Sequence, residues 1–266
     1  MTSLRPWPGL NRRQLLAAPL ALATAARARP VVPELPLPPV VDLSALLGPA
    51  KQQGDRMTCA YFAATALAEA AVARQTGLPV IFSEQYLTDI KHGGSRLPAD
   101  ETVDLYAVMD IVQDFGMVPA SARPYLQKQV PGELVQRPDA ALLALGKQVK
   151  LQMYMLPYSY RIEDLQRRML RRPAVVGLAL PHNAAGWRDD GLVEPVPGLV
   201  PSGEDAREDF PNHFVAVTGY DLRQQMFHFR NSWGADWGRG GYGRISFATM
   251  RTNFWAHGDA FMLAPA

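Results

Sequence analysis

A chain of 266 residues with one cysteine, Cys59, can form no disulfide within itself. Packing and polar contacts must then hold the fold, and the lone thiol is either a small inert hydrophobe or a reactive centre. Long apolar runs are also missing. "LLAAPLALATAA" has 12 residues, short of the ~20 that span a bilayer. A basic excess is missing from most of the chain. Of the 27 Lys and Arg, four (Arg5, Arg12, Arg13, Arg27) lie in residues 1–28, which hold no acid; the rest of the chain carries 23 against 25 Asp and Glu. That balance excludes charge-driven binding to nucleic acid or anionic lipid.

What is present begins with an export pattern. In "NRRQLLA" twin arginines directly precede the apolar run, and Ala26-Arg27-Ala28 supplies small residues for cleavage. Residues 1–28 are expected to be a twin-arginine export signal, leaving a periplasmic or secreted protein with no stable membrane anchor. No cysteine stands directly after the run to take a lipid. Residues 29–49 include "PVVPELPLPPV", too rich in proline for a helix, and should run extended.

Helical patterns dominate the next stretch. "TCAYFAATALAEAAVARQTG" is rich in alanine, with Thr58 as its expected N-cap and Gly77 as its stop. "SEQYLTDIK" starts at a second cap, Ser83. "TVDLYAVMDIVQDFG" puts Val108, Ile111, Val112 and Phe115 on one face and ends at Gly116. The second half reads as strands. "KLQMYML" alternates, "AVVGLAL" is a buried run, and "HFVAVTGYD" and "MFHFRNSW" form a hairpin around "DLRQQ". One helix, "IEDLQRRMLRR", should be stopped by Pro173. Residues 181–212 form a long stretch rich in Gly, Pro and acid, including Glu204, Asp205, Glu208 and Asp209. Helices first and strands second indicate an α+β fold.

Three dispersed residues have matching chemistry. Cys59, following Thr58, falls in the first turn of its helix, where free backbone N–H groups favour a thiolate. His213 opens one hairpin strand and Asn231 ends the other, so pairing can bring them together. The expected bond runs from His213 Nδ1–H to the Asn231 amide oxygen, aiming Nε2 outward, with Trp233 as a cover. Gln53, six residues before Cys59, can join the Cys59 N–H in holding an oxyanion. Its neighbour Gln52 reads as merely solvated. Taken singly, each has a bland alternative: a core cysteine, a satisfied histidine, a strand-end asparagine.

Together these residues resemble the papain family of cysteine peptidases, from about residue 40 to the C-terminus. "NSWGADWGRGGYGRI" carries the resemblance most strongly, with "NHFVAVTGY" around the histidine, "SEQYL", and Gln53-Gly54 ahead of the nucleophile. The order Gln, Cys, His, Asn and the 154 residues from Cys59 to His213 sit close to the family's interval of about 130–150. The resemblance implies a two-lobed α+β fold over residues 50–266. A helical lobe (about 50–145), whose central helix starts near Cys59, would pack on a β-barrel-like lobe (about 146–266), with the active site in the cleft. It implies a Cys59-His213-Asn231 triad resting as a thiolate–imidazolium pair, Gln53 as oxyanion donor, and Trp233, Trp237 and Asn212 in support. Peptides or proteins would be hydrolysed through a thioester by a monomer needing no metal or cofactor.

This sequence also departs from the family. Where the family has Cys-Gly-Ser-Cys-Trp, it reads Arg56-Met57-Thr58-Cys59-Ala60, so Arg56 removes a usual disulfide partner. "DETV" (100–103) stands in place of a Gly-Gly pair, and Asn212 replaces an acid. About 30 residues separate Ala28 from Cys59, fewer than the usual inhibitory propeptide, as in a bacterial, prodomain-less member. Two other functions stay open: an amidase or transpeptidase on cell-wall peptides, and a non-catalytic binding protein on this scaffold.

The export reading is open to a direct check. Replacing Arg12 and Arg13 together by lysine should hold the precursor in the cytoplasm, and exported protein should begin near Arg29. An exported fraction that starts at Met1 would contradict it.

Overall fold

Small side chains on every side of one helix set the architecture. In a computed structural model that describes residues 36–103, 105–156, 161–179, 187–194, 212–253 and 260–266, α1 (Cys59–Thr76) has 14 of its 18 residues buried. A helix that is apolar all round belongs inside a fold, and alanines let its neighbours approach closely. It ends as expected at Gly77, whose φ of 74° is the left-handed conformation open to glycine. Its start differs. Thr58 precedes α1, but its hydroxyl makes no capping bond and pairs instead with the Tyr125 hydroxyl at 2.7 Å.

The other helices are α2 (Glu84–His92), α3 (Leu105–Phe115), α4 (Ala140–Gly146), α5 (Ile162–Met169) and α6 (Phe247–Asn253). Ser83 caps α2, its Oγ accepting from Tyr86 N at 3.0 Å. On α3, Val108, Ile111 and Val112 face the core. The helix α5 stops at Met169, short of Pro173, because Leu170 N turns to Arg167 O, an i to i−3 bond that tightens the last turn.

The strands are β1 (Val40–Asp42), β2 (Leu151–Leu156), β3 (Ala174–Ala179), β4 (Leu192–Val193), β5 (Asn212–Asp221), β6 (Met226–Arg230), β7 (Tyr242–Ser246) and β8 (Ala260–Pro265). They form one sheet in the order β2-β8-β3-β5-β6-β7-β4, with β1 added on β5. The ends β2 and β4 do not meet, so among the described residues the sheet is open and no closed barrel exists, unlike the barrel-like lobe expected. The expected hairpin is β5–β6, turning at Leu222–Gln225, with a bulge between Val217 and Gly219. At Gly219 a Cβ would collide with Val41 O, so glycine lets β1 lie against β5.

Alternation along β5 divides the core. Phe214 and Ala216 join α1, α2 and α3 in one cluster. Val215 and Val217 join Phe227, Phe229 and Ile245 with α5 and α6 in the other. Leu37–Ala266 forms one unit by its internal contacts. Among the described residues no helix is long and apolar enough to cross a membrane. The export signal, the proline-rich segment before residue 36 and the acidic residues at 204–209 lie outside the described residues.

One polar cluster is buried between helix and sheet. Glu69 of α1 has no exposed side-chain surface and takes Lys51 Nζ at 2.6 Å on Oε1 and Arg230 Nη2 at 3.0 Å on Oε2. Phe82 N also donates to it at 3.0 Å. Lys51 spends its remaining two donors on Glu84 and Phe82 O, each at 2.7 Å. Two cations thus meet two carboxylates. Removing one member of a buried pair typically costs about 3–5 kcal/mol, because the other charge stays buried. Glu69→Gln should lower unfolding stability by about that much in urea titrations. A loss under ~1 kcal/mol, the size of a surface pair, would show the network to be dispensable.

Candidate active site

Two loops build the site, and they are laced together. Gln53 N donates to Ser232 O at 2.8 Å and Gly234 N to Lys51 O at 3.0 Å. Gln52, expected to be merely solvated, is exposed but ties the same seam: its Nε2 donates to Trp233 O at 3.1 Å and its Oε1 accepts from Gly54 N. The segment before Cys59 is thereby fixed against the segment after Asn231.

His213 and Asn231 do meet, though not across a ladder. The β5–β6 pairing ends at Ala216 opposite Arg230, so Asn231 lies beyond it. Asn231 is then a diagonal neighbour of His213, within side-chain reach. His213 Nε2 and Asn231 Oδ1 are 2.6 Å apart, both side chains buried. The expected nitrogen is reversed: Nε2, not Nδ1, makes this bond. Ser232 N donates to the same Oδ1 at 2.8 Å, which settles the amide orientation, since an NH₂ group cannot accept. Nε2 must therefore carry the hydrogen, and in the neutral ring Nδ1 is the basic nitrogen.

Cys59 is the first residue of α1 and is buried. Its sulfur meets the backbone N–H of Phe214, the residue after His213, so the helix start and the strand start converge. Burial pushes the thiol up, while the N–H groups of Phe214, Ala60 and Cys59 pull it down. Burial also drives the His213 imidazole down to about 4, against the smaller effect of Asn231. Both directions favour the neutral pair, whereas the helix start suggested a resting ion pair. Desolvation outweighs the helix-end N–H groups here.

Gln53 is buried beside these groups. Its Oε1 accepts from Ser232 Oγ at 2.5 Å and its Nε2 donates to Arg56 O at 2.7 Å, leaving one amide hydrogen for another acceptor. Trp233 lies over the His213 ring, 4.8 Å between centroids at 35°. Trp237 meets Trp233 edge-on at 5.3 Å. Asn212 opens β5 opposite Ala179. Sequence reasoning missed Trp187, which sets its ring edge to face with His213 at 5.3 Å. It bridges to Val193, and β4 pairs with β7. The one signal was a tryptophan inside the irregular "AAGWRDD".

Against known proteins, residues 37–254 match the Papain family cysteine protease family. Oryzain gamma chain of Oryza sativa subsp. japonica is 27% identical over 241 residues, covering 89% of this chain and 62% of that protein. Cysteine protease Amb a 11.0101 of Ambrosia artemisiifolia is 26% identical over 195 residues, covering 72% of this chain and 45% of that protein. The chain thus spans between about half and three fifths of the length of these curated relatives. Among solved structures, digestive procathepsin L 3 of Tenebrio molitor larval midgut superposes with a TM-score of 0.63 at 26% identity, covering 88% of this chain and 72% of that one. Xylellain, a cysteine protease from Xylella fastidiosa, gives 0.69 at 19% identity, covering 87% of each chain. With a family match over most of its length and this α+β architecture, the chain belongs to the papain family of cysteine proteases.

Proposed function

We propose that this protein is a cysteine peptidase that hydrolyses peptide bonds in peptides or proteins through a thioester on Cys59. The observation that carries the reading is the fixed His213–Asn231 pair, which leaves Nδ1 as the base, on the strand whose next residue, Phe214, gives its N–H to the chain's only thiol. Family membership supports the same reaction class. Export, action as a monomer and independence of metal or cofactor belong to the same proposal.

The chemistry proceeds in two halves. His213 Nδ1 takes the thiol proton as the Cys59 sulfur adds to the scissile carbonyl. The oxyanion is held by the Cys59 N–H and the remaining Gln53 amide hydrogen. His213 returns the proton to the leaving amine, the C–N bond breaks and a thioester remains. Water then attacks, with His213 as base, and the C–S bond breaks to release the acid and restore the thiol. Asn231 keeps the proton on Nε2 throughout, and the three tryptophans keep water from that bond.

Cys59→Ala should abolish cleavage of a peptide library, and Asn231→Ala should lower kcat at least about tenfold, up to the ~10²–10⁴ of a full general-base effect. Full activity in Cys59→Ala would overturn the proposal.

The buried imidazole also has a stability signature. An unfolded histidine titrates near ~6.5, and His213 in the fold near about 4. Below ~6.5 the unfolded chain binds a proton that the native site refuses. The contribution is therefore complete above that pH and lost as pH falls to about 4, which corresponds to about 3 kcal/mol. Urea unfolding at the two ends of this window should show a drop smaller by about that amount in His213→Gln. Equal drops in both proteins would contradict a neutral buried ring.

A further inference from the structure

The strongest unassigned feature is a second buried ion pair, in the loop that leads to Cys59. Arg56 and Glu101, 45 residues apart, are both buried. Arg56 Nε donates to Glu101 Oε1 at 2.8 Å and Nη2 to Oε2 at 2.5 Å, a bidentate fork. Nη1 donates to Gln85 Oε1 at 2.9 Å and to Leu126 O at 2.7 Å. The guanidinium lies 4.9 Å from the Tyr125 ring centre. Four fixed contacts and a ring face hold one side chain, joining the loop before α1 to the segment before α3, to α2 and to the Tyr125–Leu126 segment.

What this anchor holds is the Arg56 carbonyl. Arg56 O accepts from Gln53 Nε2 at 2.7 Å and from Thr58 N at 2.9 Å. It thus orients the glutamine amide and shapes the turn that delivers the Cys59 N–H, the two donors assigned above to the oxyanion. Tyr125 reinforces the turn from the same side. Its hydroxyl donates to Gln53 O at 3.0 Å, so the Thr58 hydroxyl must be the donor in their 2.7 Å contact. That explains why Thr58 does not cap α1.

We propose that Arg56 and Glu101 are positioning residues for the oxyanion site: their buried fork fixes the spacing between Gln53 Nε2 and the Cys59 N–H. The assignment rests on the peptidase reading. It concerns acyl transfer specifically, because only carbonyl addition needs those donors. Alkylation of Cys59 by iodoacetamide needs the sulfur and its base but no oxyanion donor.

The test uses the full chain, with Glu101→Gln to remove the charge while keeping the shape. Arg56→Met with Glu101→Met replaces the pair by apolar groups, a change that buried pairs often tolerate without loss of folding. In both, kcat for a peptide amide should fall at least about tenfold, up to the ~10²–10³ cost of losing one oxyanion donor outright. KM and the iodoacetamide rate at Cys59 should stay within about twofold. On a Gln53→Ala background the further loss should shrink, since one of the two groups being positioned is gone. An unchanged kcat, a parallel fall in alkylation, or the same loss on the Gln53→Ala background would each overturn the assignment and leave the peptidase reading intact. A wild type that is alkylated at Cys59 yet cleaves no peptide would overturn both.

Discussion

Glu69 is the constraint on which the rest depends. A carboxylate with no exposed surface is tolerable only if its charge is met on the spot. Lys51, Arg230 and the Phe82 N–H meet it. These partners come from the loop before α1, from the end of β6 and from the segment entering α2. Satisfying one buried charge therefore fixes three pieces of chain that are far apart in sequence. Glu84 completes the cluster through Lys51; burial pushes its carboxyl up while Lys51 pulls it down.

The candidate site is assembled on the immediate neighbours of those anchors. Arg230 precedes Asn231, and Lys51 precedes Gln52 and Gln53. Holding the two cations against one carboxylate brings the two loops close enough for the backbone bonds between Gln53 and Ser232 and between Gly234 and Lys51. Along β5 the alternation then does the sorting. Phe214 turns toward α1 and offers its N–H to the Cys59 sulfur, while His213 shares the other face with Trp187 and the second core. The start of a central strand and a buried helix end thus converge, with the Phe214 N–H on the Cys59 sulfur and no covalent tie between them.

Local signals carried much of this. Ser83 and Gly77 could be read from the sequence because capping depends on residues within one turn. The pairing of His213 with Asn231 was legible because a short hairpin leaves few registers. What failed, failed for non-local reasons. Thr58 looks like a cap until Tyr125, 67 residues on, takes its hydroxyl. Which imidazole nitrogen faces Asn231 depends on where the β6 ladder ends, and the amide orientation depends on one N–H from Ser232. Gln52 and Trp187 do their work through tertiary contacts that carry no periodicity. Arg56 was visible as a missing cysteine, but nothing in the sequence announces that Glu101 answers it. Helix position, which pulls the Cys59 thiol down, is written in the sequence, whereas the burial that pushes it up is not.

The central claim is that Cys59 forms a covalent acyl intermediate. It is tested most directly by mixing the protein with an activated peptide ester, quenching in acid and measuring intact mass, followed by peptide mapping. The account predicts one acyl group per chain, located on Cys59, appearing before the carboxylic acid product and absent when Cys59→Ser is treated in the same way for the same time. Turnover of the ester with no adduct on Cys59, or with the acyl group on another residue, would contradict it.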